Sequence, residues 1–154
     1  MSMRSFIVYG YGFIVDEVPD DKLIDFIKNH KDAFCKLNDE KELFNEMLEY
    51  TKEEYDLEDF FDYYYCDSSG QEGRGAVISN IISRETGIRV EYQSGQSDCY
   101  SYPSVLFAEG YPWLYNKKEK NLTVDSLTEI LLPYAEELGL SRKDIDTLEI
   151  EYYG

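Results

Sequence analysis

Residues 39–67, DEKELFNEMLEYTKEEYDLEDFFDYYYCD, carry twelve carboxylates against two lysines, and eight of these residues are aromatic. Leu43, Phe44, Met47, Leu48, Thr51 and Tyr55 recur at steps of three and four, the period of an amphipathic helix. Asp39 is placed to cap its start, with Glu42 three positions on as a capping-box partner. The opposite face reads Glu42, Glu46, Glu49 and Glu53. With a rise of ~1.5 Å per residue, these carboxylates lie roughly 5 Å apart along the axis. Such neighbours repel by about a few tenths of a kcal/mol per pair, so packing of the apolar face must outweigh them. A second short helix is expected beyond, with Asp56 as N-cap and Leu57, Phe60, Phe61, Tyr64 and Tyr65 as its stripe. Glu58, Asp59 and Asp62 fall outside that stripe.

The rest of the chain amplifies the imbalance. Its 154 residues sum to a formal charge of −17, yet 43% are hydrophobic and 16% aromatic, so a single packed domain is expected rather than a solvating tail. A field of that sign repels DNA, RNA and anionic membranes and attracts basic protein surfaces. Cys35, Cys66 and Cys99 are odd in number and widely spaced, which predicts reduced thiols and a cytoplasmic setting. No apolar run approaches membrane-spanning length, and the N-terminus lacks a signal pattern.

Upstream of the acidic stretch, Ser5–Val15 reads as a strand apolar on both faces, central in its sheet, with Gly10 and Gly12 allowing close approach of a helix. Pro19 suits a first helical position, and Asp20 and Asp21 suit the positive end of the helix dipole. Leu23, Phe26, Ile27, His30 and Phe34 form the buried stripe of that helix. His30, the only histidine, is therefore read as a packed, hydrogen-bonded residue; no partner at ligand spacing makes it a base or metal ligand.

Downstream, Asp67–Gly75 reads as a loop, and its glycines match neither a dinucleotide nor a Walker pattern. A helix is predicted over Ala76–Glu85, burying Val77, Ile78, Ile81 and Ile82 and closed by Gly87. Ile88–Gln93 alternates as a half-exposed strand. After the polar loop Ser94–Pro103 comes a second strand, Ser104–Ala108, and then an aromatic segment around Trp113. Thr123 opens the last long helix, with Leu127, Ile130, Leu131, Tyr134 and Leu138 buried and a kink or break expected at Pro133. Ser141 with Asp144 forms a further capping box before a closing strand, Leu148–Tyr152.

These elements predict an α+β fold: a single domain, 1–154, with about four mainly antiparallel strands and four to five helices. The acidic helical segment at 39–65 belongs to it, with a helical sub-lobe at 39–67 as the alternative arrangement.

No diagnostic catalytic motif is present. With 32 acids, any carboxylate pair arises by chance, and Cys99, Ser79, Ser83 and Ser126 lack the context of a nucleophile. No cofactor and no metal site is expected. The functional expectation is a non-enzymatic, cytoplasmic binding protein that docks on a basic protein surface. Its sharpest form is a nucleic-acid mimic inhibiting a DNA- or RNA-handling enzyme, by analogy of charge display with anti-restriction and anti-CRISPR proteins of phages and mobile elements. Glu42, Glu46, Glu49, Glu53, Asp56, Glu58, Asp59 and Asp62 would supply the charge, with Tyr50 and Tyr63 adding contact area. Three other readings compete: a merely solvated helix face, a small enzyme or ligand-binding domain using the Gly70–Gly75 and Ser94–Tyr102 loops, and an acidic structural or oligomeric protein.

Overall fold

The structure, a computed structural model, describes residues 5–15, 18–51, 73–88, 90–96, 101–108 and 124–153. Its helices are α1 (Asp20–Asn29), α2 (Lys31–Phe34), α3 (Asn38–Thr51), α4 (Gly73–Thr86) and α5 (Val124–Glu137), followed by a 3-10 turn at Arg142–Asp144. Extended backbone runs through β1 (Ser5–Ile14), β2 (Val90–Gln96), β3 (Ser101–Ala108) and β4 (Asp146–Tyr153).

The expected fold class requires correction. Where side chains are described the body is mostly helical, 73% helical and 8% strand, and Tyr11–Ile14 is the one run of strand among them. It is not an α+β body built on about four strands. The physical reason is where the apolar side chains go. The buried core is drawn chiefly from helix stripes: Leu23, Phe26 and Ile27 of α1, Ala33 and Phe34 of α2, Leu43, Phe44 and Met47 of α3, Ala76 to Ile82 of α4, and Leu127, Leu131 and Ala135 of α5. The short strand, Tyr11–Ile14, adds Tyr11 and Phe13, while Ile14 is 45% exposed, so this strand is not buried on both faces. Along the backbone β1 lies antiparallel to β3 and β4, with its Tyr11–Ile14 end facing Ser104 to Phe107 of β3, and β2 lies antiparallel to β3.

Local chemistry explains the helix limits. Pro19 takes the N-cap position of α1 in an extended conformation (φ −64°, ψ 148°), one residue before the position expected. The helix predicted to run on to Phe34 breaks at His30 (φ −116°, ψ 32°), and α2 restarts beyond it. A stripe pattern cannot reveal such a corner, because Phe34 is buried on either side of it. α3 begins at Asn38, so Asp39 is inside the helix and the expected Asp39–Glu42 box does not form. Instead the Leu37 N–H donates to Glu40 Oε1 at 2.9 Å, the glutamate half of such a box set two residues earlier.

α4 starts at Gly73, so Gly73 and Gly75 are helical rather than part of a loop. Its end is tied down by hydroxyls. Thr86 Oγ1 donates to the Ile82 carbonyl at 2.7 Å, and Ser83 Oγ both donates to the Val90 carbonyl and accepts from its N–H. Gly87 then takes φ 73°, the left-handed conformation a glycine permits. α5 runs through Pro133 as one helix rather than two, and Gly139 (φ 85°) turns the chain after it. The Ser141 N–H donates to Asp144 Oδ2 at 2.8 Å, as the spacing predicts. The predicted cap Thr123, the second acidic helix at 57–65 and the segment around Trp113 lie outside the described residues.

Candidate functional site

The acidic helix α3 is fastened by its apolar side. Leu43, Phe44 and Met47 are buried, and Leu48 and Tyr50 are half-buried. Phe44 meets Phe34 of α2 at 6.2 Å between ring centroids, and Lys31 Nζ sits 5.0 Å above the Phe44 ring. Burying these three side chains contributes roughly 4.5–9 kcal/mol at ~1.5–3 kcal/mol each, an upper estimate. Against this, the Glu42–Glu46 and Glu46–Glu49 repulsions cost about 0.2–0.5 kcal/mol per pair. Packing wins.

Glu42, Glu46 and Glu49 are all exposed on the outer face, where the sequence places them. Tyr50 beside them is only half exposed. The other nominated residues, Glu53, Asp56, Glu58, Asp59, Asp62 and Tyr63, lie outside the described residues. α3 has no basic residue in its last turn, so its C-terminal half presents carboxylates where the helix dipole favours cations.

One acid of α3 does not belong to this face. Glu40 is 7% exposed and pairs with Arg84 of α4, Oε2 to Nη1, at 2.7 Å. The same guanidinium nitrogen donates to the carbonyls of Ala33 and Phe34 at 3.0 and 3.3 Å, closing the end of α2. Arg84 therefore holds α2, α3 and α4 together. Sequence reasoning counted Glu40 only as charge and gave Arg84 no part in the site. Its Arg–Glu separation of 44 residues leaves no local signal.

A second polar cluster surrounds His30. Nδ1 lies 2.8 Å from Glu85 Oε2, and Nε2 lies 3.0 and 2.9 Å from the two oxygens of Glu137. The Tyr134 hydroxyl donates to Glu85 Oε1 at 3.0 Å. The ring packs 4.6 Å from Phe26 and 5.6 Å from Tyr134. His30 is thus packed and hydrogen-bonded, as its position in the stripe suggests, with its partners coming from α4 and α5. Both ring nitrogens are engaged by carboxylates, so neither faces an open site for a substrate. Among the described residues no group of His, Cys, Asp or Glu is arranged to hold a metal ion.

Other nucleophile candidates are similarly committed. Ser79 Oγ is buried and donates to the Ala76 carbonyl at 3.1 Å, and Ser83 brackets Val90 as described above. Cys35 forms no disulfide, and burial pushes its thiol up, away from the reactive thiolate. Cys66 and Cys99 lie outside the described residues. Among the described residues no helix is long and apolar enough to cross a membrane. Comparison with protein-family models, with curated proteins and with solved structures finds no match for this chain.

Proposed function

We propose that this chain is a non-enzymatic acidic binding protein that occupies the basic, nucleic-acid-binding surface of a partner and so inhibits it. In this reading it acts in the cytoplasm, in the manner of the anti-restriction and anti-CRISPR proteins of phages and mobile elements. The observation that carries the reading is the outer face of α3. Glu42, Glu46 and Glu49 project along one exposed line from a helix whose other side is buried.

Three further features support it. The packed helix leaves the backbone beneath this row with little freedom to lose on docking, which favours affinity. Carboxylates toward the C-terminal end oppose the helix dipole, so helix stability alone would place lysine or arginine there. The whole-chain charge of −17 adds a long-range field that speeds encounter with a cationic groove. Glu53, Asp56, Glu58, Asp59, Asp62 and Tyr63 extend the face in this proposal.

The test is competition. The protein is used to capture a partner from lysate at low salt, and DNA or RNA is then added. Displacement by nucleic acid, with binding that weakens steeply as salt rises, supports the reading. The triple variant Glu46→Lys, Glu49→Lys, Glu53→Lys should lose the captured partner while staying folded. Equal binding by parent and triple variant would remove this face from consideration.

A further inference from the structure

Three helices of this fold end on one imidazole ring. His30 stands at the corner between α1 and α2, Glu85 in the last turn of α4, and Glu137 at the last position of α5. Both nitrogens of His30 lie within 3.0 Å of a carboxylate oxygen, Nδ1 of Glu85 and Nε2 of Glu137. A neutral imidazole owns one N–H. It can satisfy one of these carboxylates, and its other nitrogen then turns a lone pair toward a negative oxygen. Only the imidazolium donates to both.

We propose that His30 is a proton-dependent clasp: as imidazolium it joins the α1–α2 corner to the ends of α4 and α5, and loss of its proton with rising pH releases the junction.

The surroundings favour this arrangement. The titratable groups facing the ring are Glu85 of α4 and Tyr134 and Glu137 of α5. α1 contributes the uncharged Phe26 ring, and Lys31 of α2 has its ammonium over Phe44. The Tyr134 hydroxyl stays protonated well into the alkaline range, through burial first and its bond to Glu85 second, so it remains a donor to Glu85 as His30 titrates. For His30, burial works to lower the pKa. The hydrogen bonds to Glu85 and Glu137, with the charges behind them, outweigh it and raise the value above 6.5. The sign follows from linkage. A pKa raised on folding gives a contribution to stability that is complete below about 6.5, the unfolded value, and lost as pH climbs through the folded value. The clasp is therefore fully closed below about 6.5 and opens as pH climbs through the folded-state value above it.

Because His30 is the only histidine, its ring signals can be followed without assignment in the full chain. An NMR titration should place its midpoint above 6.5. Thermal midpoints recorded over the same pH interval should fall for the parent and fall much less for His30→Gln. A ring midpoint at or below 6.5, or parallel loss of stability in parent and variant, overturns the clasp. If His30→Gln does not fold, Glu137→Gln replaces it. That variant should bring the His30 midpoint down from the parent's value, and an unchanged midpoint overturns the proposal.

Discussion

At the scale of single residues, buried Glu40 and Thr128 are each held in a side-chain pair that joins distant segments. Glu40 is the clearest case: inside the body, its charge is tolerable because Arg84 lies 2.7 Å away. Arg84→Met should cost about 3 kcal/mol, the low end for breaking a buried pair, because the arginine side chain is still 27% exposed. Adding Glu40→Gln removes the stranded charge and should recover part of that loss; urea denaturation of the single and double variants checks both. Tyr11 makes a gentler example. Its hydroxyl meets Thr128 Oγ1 at 2.7 Å in the core, and Tyr11→Phe should lower stability by about 1 kcal/mol in the same assay. None of these pairings is visible in the chain order, since 44 residues separate Arg84 from Glu40 and 117 separate Tyr11 from Thr128.

At the scale of elements, α3 divides its two faces between stability and charge, and the two can be separated experimentally. Met47→Ala should cost about 2–5 kcal/mol by opening a cavity, with no change in charge. Glu46→Lys with Glu49→Lys should do the reverse. The change at position 46 should leave stability unchanged or raise it by about a few tenths of a kcal/mol, since the new ammonium there would pair with Glu42. Under the proposed function the same double variant loses partner binding. Chemical denaturation beside a binding assay decides whether the carboxylates serve the fold or the contact. The helices themselves were legible: the apolar positions of α1, α3, α4 and α5 lie at three- and four-residue steps, and Leu23, Phe26, Met47, Ile78, Ile81 and Leu131 are buried as that spacing requires. Their ends were less so. The break at His30 and the start of α4 at Gly73 depend on neighbours that local pattern does not contain.

At the scale of the whole molecule, −17 charges on 154 residues make self-repulsion a standing cost. Raising salt from about 20 mM to about 500 mM should therefore raise the thermal midpoint, because the Debye length falls below the spacing of most surface charges. Partner binding should move the opposite way, weakening over the same range. Here the limits of sequence reasoning are sharpest. Alternation over Ile88–Gln93 and Leu148–Tyr152 encodes a local preference for extended backbone, but not what share of the core such segments supply. The core proved to be chiefly helical, and the α+β expectation failed on that count. Composition and periodicity alone determined the charge, the helical stripes and the outward row Glu42, Glu46, Glu49, because these follow from residue type and the 3.6-residue turn. Only tertiary structure decided that Glu40 turns inward to Arg84, and that His30 gathers Glu85 and Glu137 around it. Long-range pairing is set by which surfaces close on one another, and no local spacing records that.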